Sequence, residues 1–229
     1  YSVESSKKAL EIAKKYDFIY TTAGVSPNDI PQTEDKLWKQ LAEIEKIVEE
    51  NKEKVCAIGE IGLDYYWNTD NKELQKKAFI EQIKIANKYN LPIVIHTREA
   101  VMDTLQILKE NNVTKTGVFH CCPQNRELIK EGLKLGFYIS FAGPITFKNS
   151  KNAEEMINLV PNDRILIETD SPYLAPEPVR GTRNTPANVK YIAQKIADVK
   201  GLTLEEVEKI TFENTKNILC ISKLCNLPN

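Results

Sequence analysis

Two histidines occur in 229 residues, and each closes an apolar run: His96 ends LPIVIH and His120 ends TGVFH. Two carboxylates stand in matching places, Glu60 near the end of VCAIGEI and Asp170 just after RILIET. Side chains alternate along a strand, so Ile58 with Glu60, Val94 with His96, and Val118 with His120 each share a face. A lone strand-end histidine is ordinarily a hydrogen-bonded structural residue. Two imidazoles and two carboxylates at successive strand ends form a mixed nitrogen and oxygen ligand set, suited to zinc, manganese, or magnesium assisted by substrate oxygens. Serine-nucleophile chemistry has no support, because no GxSxG elbow occurs. Cys121 and Cys122 follow His120 directly and read as inert strand-end thiols.

The elements that must position these groups alternate regularly. Short apolar runs predict six strands, at Phe18–Ala23, Val55–Ile61, Pro92–Thr97, Gly117–Cys122, Phe137–Ala142 and Ile165–Thr169. Amphipathic stretches predict helices at Ser5–Lys15, Lys36–Glu50, Leu74–Tyr89, Ala100–Asn111, Asn125–Leu135 and Asn152–Leu159, then Pro186–Val199 and Leu204–Leu219. Near-continuously apolar strands between helices are the mark of a parallel sheet covered by helices, so the fold class is α/β. No Gly-rich phosphate loop of the GxGxxG or GxxxxGK[ST] kind is present, which argues against an open doubly wound sheet. Polar groups at the C-terminal ends of several different strands are the pattern of a (β/α)8 TIM barrel. Six strands leave two unaccounted for, which need on the order of 40 residues. The chain opens on Tyr1 and not on Met, and the expectation is that those two strands precede it. No linker or repeat interrupts the pattern, so residues 1–229 are expected to form one barrel domain.

Composition excludes several classes. Lys and Arg total 31 against 32 Asp and Glu, so no global positive field draws in a polyanion. No apolar run is long enough for a membrane span, and no signal peptide is evident at the start, so the expected location is the cytoplasm. Five cysteines, Cys56, Cys121, Cys122, Cys220 and Cys225, are odd in number and lack a CxxC pair, which favours reduced thiols.

Four segments carry a resemblance. GEIGLDYYW (59–67), IHTREA (95–100), FHCC (119–122) and ETDSPYLAPEPVRGTRNTPANV (168–189) are similar to the signature segments of the TatD family of metal-dependent deoxyribonucleases, in family order and spacing. The resemblance covers essentially the whole chain and implies a metallohydrolase barrel holding two divalent metal ions, with Mg, Mn and Zn not distinguished. It implies Glu60 as a ligand shared by both ions, His96 and His120 as ligands of one, and Asp170 as a ligand of the other and the polariser of the attacking water. The family's His-x-His pair is absent from the sequence, as expected if the first strand lies upstream, and Ser26 and Asn28 stand where the family often has a His.

The implied reaction is hydrolysis of DNA phosphodiester bonds, trimming from an end, with DNA as substrate and neither a membrane nor an obligate protein partner involved. A phosphate also needs cations, and Arg98 and Arg183 are the candidate contacts. From Ser171 to Lys200 five basic residues face two acidic ones. Tyr65, Tyr66 and Trp67 after Glu60 offer rings for base stacking or for packing a lid. Glu168 shares parity with Asp170 and requires a partner, Arg183 or a metal-bound water. Two other readings stay open: a barrel amidohydrolase or lactonase using the same ligand set on a small molecule, and a barrel that binds nucleic acid or a partner without catalysis.

Overall fold

The structure, a computed structural model, describes residues 1–67 and 69–219. Helices and strands alternate as α1 (Val3–Lys15), β1 (Thr21–Ala23), α2 (Glu34–Glu50), β2 (Val55–Asp64), α3 (Lys72–Tyr89), β3 (Ile93–Arg98), α4 (Val101–Glu110), β4 (Gly117–Phe119), α5 (Arg126–Lys134), β5 (Tyr138–Phe141), α6 (Ala153–Leu159), β6 (Ile165–Ile167), α7 (Val189–Lys200) and α8 (Leu204–Leu219). All six strands and eight helices expected from the sequence are present. Strand order follows chain order from β1 to β6. Among the described residues no helix is long and apolar enough to cross a membrane.

The described residues form two compact units, one of residues 1–118 with 218–219, the other of residues 119–217. In the first unit β1 pairs with β2 and β2 with β3, all in parallel. Helix α2 shows why these segments fold as they do: Leu37, Leu41, Ile44 and Val48 recur at helical spacing and are all buried, while charged residues take the other face. Helix α1 begins at a capping box between Ser2 and Ser5. In the second unit β5 pairs in parallel with β6. There Asn125 caps α5 by accepting from Leu128 N–H at 2.9 Å.

Of the boundaries that differ from the sequence reading, three matter for the site. Strand β2 runs on to Asp64, three residues past its expected end, because Gly62 lets it hug β3. Gly62 lies opposite His96 at φ +133, and a Cβ there would sit 2.0 Å from the His96 carbonyl oxygen. The register of β2 against β3 shifts between Gly59 and Ile61, so simple alternation with Ile58 does not aim Glu60; a bulge does. Strands β4 and β6 end early, which places His120 and Asp170 in the turns that follow them.

Candidate metal centre

Each histidine is held between two carboxylates. In the first unit His96, on β3, places Nδ1 3.0 Å from Glu60 Oε1 and Nε2 2.9 Å from Asp64 Oδ2. The burial pattern of β3 alternates, with Ile93, Ile95 and Thr97 packed away while Val94, His96 and Arg98 face the other side. Asp64 is fully buried, and its carboxylate accepts four hydrogen bonds. Oδ1 takes the backbone N–H groups of Tyr66 and Trp67 at 2.9 and 3.0 Å, and Oδ2 takes Asn28 Nδ2 at 3.2 Å besides His96. Its backbone is clamped as well, since Gln75 accepts from Asp64 N–H and donates to Asp64 C=O.

This arrangement sets the charges. Burial pushes the Asp64 carboxyl up, but the hydrogen bonds from His96, Trp67, Asn28 and Tyr66 outweigh it and hold the group far below the usual carboxylate range. For His96 burial disfavours the cation, yet hydrogen bonds to Asp64 and Glu60 and their charges raise its pKa to about 9.

The second unit repeats the motif. His120 Nδ1 lies 2.6 Å from Glu168 Oε2, and His120 Nε2 lies 3.3 Å from Asp170 Oδ1. The other Glu168 oxygen accepts the backbone N–H of Cys121. Glu168 therefore finds its partner in His120 and Cys121, neither of the two anticipated from the sequence. Cys121 and Asp170 both have left-handed backbones, at φ 40 and 57, a conformation non-glycine residues adopt at a cost and one that collects at functional sites. Buried Asn184 fixes the turn carrying Asp170, donating from Nδ2 to the carbonyls of Thr169 and Tyr173 at 2.7 Å each.

Thus Glu60 and His96 are brought together in one unit, and His120 and Asp170 in the other. Arg98 and Arg183 are exposed, and neither forms an ion pair among the described residues. Arg98 lies 3.8 Å over the Tyr66 ring. Cys56, Cys121 and Cys122 are free thiols, with Cys56 and Cys122 buried; Cys220 and Cys225 lie outside the described residues.

Sequence reasoning missed Asp64, Asn28 as its donor, and Asn184. Asp64 had a signal: an acid at the end of an apolar strand, within GLDYYW, cannot be buried without partners. Nothing in the sequence ties Asn184 to the turn carrying Asp170.

The donor chemistry fits a divalent ion. A ligating histidine commonly gives its second ring nitrogen to a carboxylate that fixes tautomer and orientation, and Asp64 and Glu168 are placed to do this for His96 and His120. The remaining nitrogens face Glu60 and Asp170. Each unit offers two such donors, and no group of three or more is gathered around one point among the described residues.

Comparison with known proteins sharpens the reading. Residues 1–220 match the family described as TatD related DNase. The chain is 46% identical over 219 residues to YabD of Bacillus subtilis, an uncharacterized metal-dependent hydrolase, covering 94% of this chain and 83% of that one. It superposes at a TM-score of 0.88 on the crystal structure of YJJV, a TatD homologue from Escherichia coli, with 25% identity, covering 95% of this chain and 83% of that one. A TatD family hydrolase from Entamoeba histolytica gives 0.83, with 28% identity, 96% of this chain and 83% of that one.

Proposed function

This chain belongs to the TatD-related DNase family of metal-dependent hydrolases, with the α/β fold of its TIM-barrel relatives, and from that premise we propose that it hydrolyses phosphodiester bonds in DNA from a strand end. The observation that carries the reading is the duplicated carboxylate–histidine–carboxylate arrangement, Asp64–His96–Glu60 and Glu168–His120–Asp170. Glu60, His96, His120 and Asp170 would hold two divalent ions, which supply Lewis acidity toward the phosphate and lower the pKa of bound water.

The protein's own part is positioning and proton handling. Asp64 keeps the Nε2 proton of His96, and Glu168 keeps the Nδ1 proton of His120, so that in each ring the nitrogen facing the ligand carboxylate is the basic one. Asp170 accepts the proton of the attacking water. The unpaired guanidinium groups of Arg98 and Arg183 are available for phosphate oxygens, where bidentate contacts add both charge and orientation. A family match running through both compact units supports a single functional domain. Free thiols at Cys56, Cys121 and Cys122 agree with a cytoplasmic setting.

The test is a substrate panel. Full-length protein stripped of metal and reloaded with Mg, Mn or Zn is offered an end-labelled DNA oligonucleotide, its RNA counterpart, an aryl phosphodiester, an aryl acetate and a lactone. The expected result is metal-dependent shortening of the DNA from one end. Turnover of the lactone or acetate with the DNA left intact would overturn the reading in favour of carbonyl chemistry.

A further inference from the structure

The loop after β2 carries two large exposed rings, Trp67 at 69% and Tyr66 at 48% exposure. Singly exposed aromatics are ordinary on protein surfaces. This pair differs in being held rigid. Both backbone N–H groups end on Asp64 Oδ1, Tyr65 N–H donates to the Arg98 carbonyl at 2.9 Å, and Asp64 pairs in register with Arg98. The two rings meet edge to face at 4.8 Å and 88°, and Arg98 covers them at 3.8 Å from the Tyr66 centroid and 5.4 Å from that of Trp67.

Charges of both signs surround the loop: Asp103 accepts from the Tyr65 hydroxyl at 2.7 Å, and Lys76, that hydroxyl and the nearby Lys72 charge hold its carboxyl below its ordinary value. Lys72 is exposed, sits 4.4 Å over the Tyr65 ring, and like Arg98 forms no ion pair among the described residues. Lys76 nearby is already satisfied, by Asp103 at 2.9 Å and Glu73 at 3.2 Å. The loop therefore presents the exposed Trp67 indole beside the Arg98 guanidinium, which forms no ion pair among the described residues, with Lys72 as a second exposed cation near Asp103. A ligand complementary to both is planar and anionic, as a nucleotide unit is.

We propose that Tyr66, Trp67, Arg98 and Lys72 form a nucleotide-docking platform, taking a nucleobase against the Trp67 indole and its phosphate against the Arg98 guanidinium. The proposal rests on the nuclease reading and deepens it, by naming how a strand is gripped beside His96. Asp64 is the mechanical link, since one carboxylate anchors both the platform backbone and the His96 ring. A platform ordered beforehand loses little conformational entropy on binding.

The experiment reads Trp67 fluorescence in a Trp38→Phe background for quenching, and the anisotropy of a dye-labelled strand for the affinity of the parent and of variants lacking Trp67, with EDTA present so that no strand is cut. The probes are a short oligothymidylate and an oligomer of the same length and charge made of abasic sites. Expected are quenching and tight binding for the oligothymidylate, little quenching for the abasic strand, and binding weakened by about 5- to 150-fold in Trp67→Leu as one stacked base is lost. Trp67→Phe is expected to keep most of the affinity. Equal affinity for the two probes, or a Trp67→Leu variant that discriminates between them as the parent does, overturns the platform. Metal-dependent hydrolysis of the oligothymidylate is scored separately. Turnover without base-dependent binding defeats the platform alone, base-dependent binding without turnover defeats the nuclease reading and leaves a nucleotide-binding site, and neither defeats both.

Discussion

Replacing Asp64 with Asn tests whether this buried carboxylate prepares His96. The side chain keeps its shape, and its amide oxygen can still accept from Tyr66 and Trp67. The amide NH2 then faces His96 Nε2 and Asn28 Nδ2, where two donors previously ended. Asn28 is exposed and can turn to water, so the main loss is the charge-assisted bond to His96, worth about 1.5 to 3 kcal/mol. In a protein of this size that lowers Tm by about 3 to 12 °C. The imidazole relieves the donor clash by moving its proton to Nδ1, the nitrogen that faces Glu60 at 3.0 Å, and so blocks it as a ligand. Loss of such an orienting partner weakens metal affinity by about 10- to 100-fold. Titration calorimetry with Mn or Zn gives the affinity, and nitrogen-15 spectra of the ring give the tautomer. An Asp64→Asn variant that binds metal as the parent does, with the proton still on Nε2, would refute the assigned role.

Three further outcomes follow from the same geometry. His96 has its pKa raised to about 9, against about 6.5 for an unperturbed imidazole. In the metal-free protein its stabilising contribution is thus complete below pH 6.5 and is lost as pH rises toward 9, about 3 kcal/mol in all. Urea unfolding of chelator-treated protein at these two pH values should show the loss, and the slope should flatten in His96→Asn; a parent stability that holds or rises would contradict it. Burial pushes the Cys56 thiol up to about 11, and burial with the Glu168 charge pushes Cys122 up as well. After labelling of native protein at pH 8, peptide mapping should therefore find both unmodified, whereas rapid labelling of either would show it to be accessible and ionised. Gly62→Ala forces a Cβ to within 2.0 Å of the His96 carbonyl oxygen, and calorimetry should show a loss of about 3 kcal/mol or more. An unchanged Tm would mean that the close approach of β2 to β3 is dispensable.

Much of this architecture was legible because the period of the apolar residues changes cleanly between helix and strand. The runs VCAIGEI and LPIVIH read as buried parallel strands, and they are β2 and β3. What alternation could not supply was the aim of Glu60, since a bulge is a property of the pairing between two strands and not of one segment. The ends of β4 and β6 were overextended for a related reason: His120 follows an apolar run but lies in the turn after β4, and Glu168 and Thr169 lie beyond β6, with left-handed backbones at Cys121 and Asp170. The sequence could name the candidate ligands Glu60, His96, His120 and Asp170 by type and place, whereas it did not pair the carboxylates behind the histidines. Asp64 and Glu168 act through partners 32 and 48 residues away in the chain, His96 and His120. Only the folded backbone reveals such pairings.

The most direct test of the central claim compares the parent with Asp170→Asn, full-length and metal-loaded, for hydrolysis of an end-labelled DNA oligonucleotide and for binding of the same strand under EDTA. Asp170→Asn is expected to lose turnover by at least the roughly 10²-fold that removal of a positioned proton acceptor costs, while DNA binding stays within about threefold. Equal turnover in the two proteins, or no turnover in either with only the thermal stability of the variant changed, would contradict it.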